Sequence, residues 1–389
     1  MEIRGMRMIR MKCLLLMAVL LMIPHPWAAA QEEYIFGGSK NEILNGVAVS
    51  EDDRILMTGY TASSDGTLAG RTKEGHSGWA LCVDRNGNVL FSFCSRRGSQ
   101  DEMEDPVFHE DGTATVLLNA YGNPQKQMEL IRLDRDGNVL NRKILMETTS
   151  ENVNLTGWTF GGGYGITRAD VTTGKPQYTF YDWDGNTLLA MQGERDGALA
   201  AIGGQHAVVF HETGFWLSRI DGQGNETRLA YLYDAPYGYL PPQTYGELLS
   251  LEDGGCVAVG RAVIEQEKGQ SKVGACTRWT PEGQKAFELY VPDWSLERIV
   301  KTANGYAILA TEIQPDYADE KVKSRLFLLD EERQMEESME LPDCCLYRAW
   351  DIGALRDSTL IVVQNIINHG ETDAMMIVVD DPDAIDPLP

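Results

Sequence analysis

The chain has 389 residues, of which 43% are hydrophobic, and its 34 Lys and Arg against 58 Asp and Glu give a formal net charge of −24. A negative field of this size repels phosphate backbones, so the composition argues against a nucleic-acid partner. It is compatible with a soluble extracellular protein, with cation binding or with a basic partner. The length exceeds that of a usual single core, but repeat folds grow by adding units, so it does not require two domains.

The first 30 residues have the pattern of an export signal. Positive residues lie between Arg4 and Lys12, an apolar run covers residues 13–23, and three alanines precede Gln31. This order predicts a secretory signal cleaved after Ala30 and a secreted or cell-surface protein. The alternatives are an uncleaved anchor and lipid attachment at Cys13. No later stretch is long and apolar enough to predict a membrane span.

A short phrase recurs about every 50 residues through the rest of the chain. It reads DRNGNVL at 84–90, DRDGNVL at 134–140 and DWDGNTL at 182–188, with weaker copies at 221–225, 280–284, 330–334 and 380–383. A fixed period of this size is the signature of a repeat architecture.

Each repeat contains four short strands separated by turn residues. In the second repeat, β-branched and aliphatic runs at 88–93, 105–109, 113–120 and 128–133 are bounded by Gly, Asn, Asp and Pro. Such runs indicate strands, and the Asp-Gly and Asn-Gly pairs favour tight hairpins. The strand that precedes the recurring turn can be counted seven times: 79–83, 128–133, 177–181, 215–220, 273–279, 325–329 and 374–379.

These features predict an all-β protein: one seven-bladed β-propeller of four-stranded antiparallel blades over residues 31–381, followed by a short tail at 382–389. Six or eight blades are the alternatives. The spacing of the turns predicts a short fourth blade and an extended fifth. Residues 34–36 match the strand that follows the turn elsewhere, whereas the chain ends with a strand that precedes it. The N-terminal strand should therefore complete the last blade and close the ring.

The first two repeats resemble a known group of proteins. GGS at 37–39, GYTASSDG at 59–66, a strand at 79–83 and DRNGNV at 84–89 are similar to the repeats of secreted bacterial β-propeller proteins of the surface and lipoprotein-like kind. The resemblance implies a fold and an extracellular location. It implies no catalytic residue.

The Asp-rich turns allow two interpretations. Asp134 and Asp136, like Asp182 and Asp184, place carboxylates at alternate positions, as a calcium loop does. A full loop of that kind also needs a glutamate at its twelfth position, where this chain has Leu145 and Gly193. We therefore expect hairpin turns held by their own Asx side chains, with no metal and no cofactor.

Two further sets of residues are candidates for special roles. The segment 231–245 departs from the repeat and concentrates tyrosines suited to contacting a sugar or a protein: Tyr231, Tyr233, Tyr237, Tyr239 and Tyr245. The alternative is that they pack between blades. Cys256 and Cys276 lie in successive strands of one blade, and a hairpin centred at 265–267 would place them near enough for a disulfide.

Catalytic residues are not identifiable in the sequence. The chain lacks a Gly-x-Ser-x-Gly elbow and a His-Glu-x-x-His pattern. We expect a secreted, non-catalytic propeller that binds or scaffolds a protein or a carbohydrate at the cell surface. The alternatives are an extracellular carbohydrate-active enzyme, either a glycoside hydrolase or a lyase, and an envelope assembly factor.

Overall fold

The computed structural model contains seven four-stranded antiparallel sheets within the part of the chain that it describes. That part is residues 31–380 without 69–75, 96–99, 122–125, 151–152, 161–162, 171–174, 193–198, 204–205, 212–213, 222–224, 235–242, 267–268, 314–322, 331–334, 343–348 and 369. The predicted signal at 1–30 and the tail at 382–389 lie outside it.

Each blade takes its strands consecutively from the chain, and the first strand is the innermost. The strands of blades 1 to 3 are β2 (Glu42–Val49), β3 (Ile55–Thr61), β4 (Ser77–Val83), β5 (Val89–Cys94), β6 (Gln100–Phe108), β7 (Ala114–Tyr121), β8 (Lys126–Leu133), β9 (Val139–Thr148), β10 (Val153–Phe160), β11 (Gly163–Asp170), β12 (Lys175–Asp182) and β13 (Thr187–Gln192). Those of blades 4 to 6 are β14 (Leu199–Gly203), β15 (His206–His211), β16 (Gly214–Ile220), β17 (Glu226–Asp234), β18 (Gln243–Ser250), β19 (Cys256–Gln266), β20 (Gly269–Trp279), β21 (Lys285–Pro292), β22 (Trp294–Lys301), β23 (Gly305–Glu312), β24 (Ser324–Asp330) and β25 (Met335–Glu340). Blade 7 combines β26 (Asp351–Ala354), β27 (Leu360–Asn368) and β28 (Glu371–Val379) with β1 (Gln31–Phe36).

The N-terminal strand closes the ring, as the repeat phase predicts. β1 pairs antiparallel with β28 from Gln31 opposite Val379 to Phe36 opposite Ala374, and the sheet order is β1-β28-β27-β26. Phe36 is buried in a cluster that joins blade 7 to blade 1. The prediction of seven blades closed by this strand is confirmed. The extended fifth blade is also present, because β19 and β20 are each 11 residues long.

The recurring turn is stabilised by its own hydrogen bonds and packs against the neighbouring blade. In the second blade, Asp134 Oδ1 accepts hydrogen bonds from the Asp136 and Asn138 amides at 2.9 and 2.7 Å, and Asn138 Nδ2 donates to Asp134 Oδ2 at 3.0 Å. These bonds occupy the carboxylate with its own turn, which supports the Asx-turn interpretation. Gly137 has φ +81°, and a Cβ there would lie 2.5 Å from the Phe91 ring on the outermost strand of blade 1. The turn of one blade therefore packs on the preceding blade, and only glycine fits both requirements.

The hydrophobic core consists of separate layers between neighbouring blades. One layer joins blades 1 and 2 through residues such as Leu56, Met103 and Leu118, and another joins blades 5 and 6 through Val259 and Ile308. β-Strands bury both faces in this arrangement, which is why the middle strands are almost continuously apolar. Among the described residues, no helix has the length and apolarity needed to cross a bilayer.

The structure corrects the predicted disulfide. Cys276 lies opposite Val259, whereas Cys256 lies opposite Trp279, and both are free, buried thiols. Gln266 pairs with Gly269 at the end of this hairpin, so the hairpin is centred later in the chain than the predicted 265–267 and the two cysteines are three residues out of register. Positions an odd number of residues apart point to opposite faces of a sheet, which separates the sulfurs.

Candidate functional site

The innermost strands enclose the axis of the propeller. Each of β2, β6, β10, β14, β18, β22 and β26 contacts the innermost strands of the two adjacent blades, so these seven form a closed ring. We call the space inside this ring the axial channel. We call the end of this channel at which these strands begin its mouth.

Equivalent positions of five innermost strands place four ionisable side chains and one glycine around the axial channel. In the turn after each of these strands, the first amide donates a hydrogen bond to a backbone carbonyl at or just before the start of the next strand. These amides belong to Ser50, His109, Leu251, Thr302 and Leu355. Four residues before each of these lie Gly46, Asp105, Glu247, Arg298 and Asp351. We call the four charged residues the axial layer.

Backbone bulges accompany this layer. The register shifts between Leu44 and Gly46, between Glu104 and Val107, between Tyr245 and Glu247, and between Leu296 and Arg298. A bulge redirects side chains and interrupts pairing, and bulges are frequent beside functional sites. The innermost strands are thus irregular at the level of the axial layer.

Arg298 and the Asp351 carboxylate form the closest ionic contact of the layer. Arg298 Nε lies 3.5 Å from Asp351 Oδ1, and these side chains are 30% and 20% exposed. Asp351 also accepts hydrogen bonds from the Val47 and Ile352 amides, both at 2.9 Å. The Asp351 carboxylate is therefore held by blades 1, 6 and 7 together, although solvent in the channel still reaches it.

Glu247 makes an equivalent link between blades 5 and 6. Its Oε2 accepts a hydrogen bond of 2.7 Å from the Ile299 amide.

Asp105 differs, because no donor among the described residues lies within hydrogen-bond distance of its carboxylate. Its backbone has φ +48° and precedes Pro106, an uncommon conformation for a residue other than glycine.

The three carboxyl groups of the axial layer interact with the same guanidinium, and this interaction affects their pKa values. Burial and, to a smaller extent, the Asp351 carboxylate raise the pKa of Asp105 to about 7, against the opposing effect of Arg298. Burial likewise raises the pKa of Glu247 to about 7, with Arg298 opposing the shift. The pKa of Asp351 is raised by burial and lowered by Arg298 and the two amides. Burial lowers the pKa of Arg298, but these three carboxylates and that of Glu297 overcome this effect and raise it above its ordinary value.

A groove lies at the opposite end, among the turns of blades 1, 2 and 7. It has a volume of about 480 Å³. Most of its charged side chains already pair with one another: Arg54 Nε lies 3.1 Å from Asp52, Arg135 also contacts Asp52, and Arg356 lies 3.4 Å from Glu51. The groove therefore offers less unpaired charge than the axial layer does.

The predicted tyrosine segment is divided between two strands. Tyr231 and Tyr233 lie on β17, the outermost strand of blade 4, where Tyr231 is 47% exposed and meets Trp216 edge to face at 5.1 Å. Tyr245 lies on β18, the innermost strand of blade 5. Tyr237 and Tyr239 fall in 235–242, outside the described residues. Their role in binding stays a prediction.

The sequence argument missed the axial layer. Its four charged members are two aspartates, one glutamate and one arginine, and they lie in different repeats, so no local motif links them. One signal could have found them: alignment of the repeats on the turn after the innermost strand places them in a single column. Among the described residues, no group of His, Cys, Asp and Glu has an arrangement suited to a metal ion.

No protein-family model and no curated protein matches this chain. Solved structures are similar to it in shape only. Core factor of S. cerevisiae matches with a TM-score of 0.48 at 9% identity over 96% of this chain, which spans 65% of the length of that protein. The periplasmic gluconolactonase of Pseudomonas aeruginosa has a TM-score of 0.44 at 12% identity, over 81% of this chain and 96% of its own. A putative 6-phosphogluconolactonase of Bacteroides fragilis has 0.45 at 11% identity, over 84% and 98%. At these scores and identities the likenesses assign no function to this chain.

Proposed function

We propose that the protein is a non-catalytic binding module, acting outside the cell or at its surface, which takes a segment of its ligand into the mouth of the axial channel. The observation that carries this proposal is the axial layer, in which three largely buried carboxyl groups lie beside one guanidinium. Burying a carboxylate without a hydrogen-bond donor costs free energy, and Asp105 is such a carboxylate. A ligand that supplies hydrogen-bond donors would remove that cost.

The charge of the chain favours a basic protein segment as the ligand. The net charge of −24 attracts cations over the whole surface, and the axial layer has two more carboxyl groups than guanidinium groups. Complementary charge increases association rates and excludes acidic competitors. A neutral glycan could donate hydroxyl hydrogens to the same carboxylates, but it would gain nothing from the long-range field.

Peptide and glycan arrays probed with the purified protein test this proposal. The test variants are Asp105→Asn and Glu247→Gln, which keep the side-chain shape and remove one ionisable group each. The control is Asp136→Asn, which removes the same charge from an exposed turn. We expect wild type and control to retain basic peptides and both test variants to lose them. Equal retention by all four proteins would reject the axial site, and retention of glycans alone would replace the protein partner by a carbohydrate.

The titration of the axial carboxyl groups favours one second candidate, an extracellular carbohydrate-active enzyme. Carboxyl groups with a pKa near 7, such as Asp105 and Glu247, can both take up and release protons at neutral pH, as general acid–base catalysis requires. Release of reducing ends or of unsaturated sugars from extracellular polysaccharides would support this function if Asp105→Asn abolished it. Activity that survives in that variant would count against an axial active site.

A further inference from the structure

The groove among the turns of blades 1, 2 and 7 is lined by side chains from all three blades, which converge on one space. They include Asp52 and Arg54 from the turn between β2 and β3, Phe108 and Arg135 from blade 2, and Arg356 from blade 7. The volume of about 480 Å³ lies within the range of small-molecule sites, about 300–1,000 Å³. The four residues of the axial layer do not line this groove, so it is a separate candidate site.

Arg54 anchors the blade 1 side of the groove. Its side chain is only 8% exposed, and its Nε lies 3.1 Å from Asp52 Oδ1. Its Nη2 donates a hydrogen bond of 2.9 Å to the Gly112 carbonyl, and its guanidinium lies over the Phe108 ring at 5.0 Å from the centroid. Ser50 Oγ also donates to Asp52 Oδ1, at 2.7 Å. These contacts fix Asp52 and Phe108 before a ligand arrives, which reduces the entropy cost of binding.

Two further ion pairs of the groove are accessible to solvent. Arg135 contacts Asp52, and Arg356 Nη2 lies 3.4 Å from Glu51 Oε2. The side chains of Arg135 and Arg356 are 67% and 66% exposed. A guanidinium has five N–H donors, and one carboxylate occupies only part of them. Each pair therefore presents hydrogen-bond donors and acceptors side by side.

The charges of the lining nearly cancel. The groove is lined by three arginines and four acidic residues, and Arg132, which is not part of the lining, pairs with Asp111 at 2.8 Å. An anionic ligand would compete with Asp52 and Glu51 for the arginines, and a cationic ligand would compete with the arginines for the carboxylates. A hydroxyl group does neither, because it can donate to the carboxylate and accept from the guanidinium of the same pair.

Apolar surface lies beside the ion pairs. Phe108 and Val49 are half-buried and border the groove. Phe108 packs against the core layer between blades 1 and 2, and Val49 packs against the layer between blades 7 and 1. A ligand that fits this groove thus needs hydroxyl groups for the ion pairs and an apolar face for Phe108. A pyranose ring has both, since its C–H face is apolar and its hydroxyl groups lie around the edge.

We propose that the groove binds a neutral sugar of one or two pyranose rings. Its hydroxyl groups bridge the ion pairs that Arg135 and Arg356 form, and its C–H face contacts Phe108. This site does not depend on the ligand of the axial channel, because it lies at the opposite end of the propeller and selects against charge.

Calorimetric titration of the full chain with N,N′-diacetylchitobiose, lactose and maltose tests this assignment. Chitobiose, the cationic form without acetyl groups, and digalacturonic acid, an anion, are the charged controls. We expect at least one neutral probe to bind and both charged sugars to bind at least about tenfold more weakly than that probe. Because the ligand carries no charge, raising the NaCl concentration from about 0.05 to about 0.5 M should change its affinity by less than about twofold.

Arg135→Met and Arg356→Met each remove one guanidinium at an exposed position of the groove. Each should lower the affinity for the neutral probe at least about tenfold, since the hydroxyl that bridges the pair loses its charged donor. The matched control is Arg278→Met. Arg278 pairs at 2.9 Å with Asp253, which holds in the turn of blade 5 the position that Asp52 holds in blade 1. This control should bind the probe as wild type does.

Three outcomes would overturn the assignment: no binding of any neutral probe, equal affinity for neutral and charged sugars, or wild-type affinity in both groove variants when they still melt cooperatively. The fate of the axial proposal is distinguishable. Asp105→Asn should leave sugar binding unchanged, and the two groove variants should leave the retention of basic peptides unchanged. Loss of sugar binding in Asp105→Asn but not in the groove variants would place the sugar in the axial channel and reject the groove.

Discussion

Replacing Arg298 by Met should destabilise the protein much more at alkaline than at acidic pH. Arg298 is the guanidinium that Asp105, Glu247 and Asp351 share. Removing one member of a buried ion pair costs about 3–5 kcal/mol, because the partner charge remains buried. Arg298 and Asp351 are 30% and 20% exposed, so we expect the lower end, about 3 kcal/mol, where the carboxyl groups are ionised.

The pH dependence follows from the raised pKa values of Asp105 and Glu247. A carboxyl group whose folded-state pKa is raised stabilises the fold fully below its unfolded pKa, and this contribution is lost as the pH rises to the folded value. In wild type the loss extends to about pH 7. Without Arg298 the carboxyl groups lack the positive charge that lowers their pKa. The loss of folding stability with rising pH therefore becomes steeper and extends to higher pH. At about pH 5, where Asp105 and Glu247 hold protons in the folded state, only the partly exposed contact with Asp351 remains, and the cost of the substitution should fall to about 1 kcal/mol.

Urea unfolding of wild type and Arg298→Met at about pH 5 and about pH 8.5 measures both quantities. Arg135→Met is the control, since its side chain is 67% exposed and pairs with Asp52 at the surface. That substitution should change the free energy of unfolding by no more than about 1 kcal/mol at either pH. An equal cost for Arg298→Met at the two pH values, or a cost no larger than that of the control, would refute the account of the axial layer.

Three other predictions concern the fold. Gly137→Ala should lower the free energy of unfolding by about 2–4 kcal/mol, because of the positive φ and the contact with Phe91. The control Gly254→Ala, with φ +82° and its nearest neighbour at 3.7 Å, should lower it by only about 1–2 kcal/mol. Equal melting temperatures of the two variants would contradict the packing of turns between blades. Deleting residues 31–36 should remove the outer edge of blade 7 and the buried Phe36 ring and lower the stability by at least about 3 kcal/mol, and an unchanged melting temperature would mean that β1 does not close the ring. Cys256 and Cys276, whose thiol pKa burial raises to about 12, should resist alkylation in the native protein and react only after denaturation, which mass spectrometry detects; rapid labelling of the folded protein would contradict their burial.

The propeller could be predicted because its determinants are local and repeated. Asp134, Gly137 and Asn138 form a turn whose hydrogen bonds and positive φ depend only on neighbours in the chain, and similar turns recur along the sequence. The phase of the repeat at both ends was also readable, and it identified the strand that closes the ring.

The axial layer could not be predicted in the same way. Asp105, Glu247, Arg298 and Asp351 are not of one residue type, and only the closure of the ring brings their strands together. Their significance arises from burial and mutual charge, which a single repeat does not contain. The cysteine prediction failed for a related reason, since a displacement of the hairpin turn changed which residue faces Cys276. The tyrosine segment was selected for its composition and its departure from the repeat, and neither specifies that Tyr231 and Tyr245 lie on the outermost and innermost strands of different blades.

The central claim is that the carboxyl groups at the axis bind a cationic ligand. Titration of the ¹³C-labelled carboxyl groups by NMR, with and without a basic peptide that the array retains, tests it most directly. The account predicts that Asp105 and Glu247 titrate near pH 7 in the free protein, and that both pKa values fall when the peptide binds. Titration of both groups near their ordinary values, about 4, with no change on adding the peptide, would contradict it.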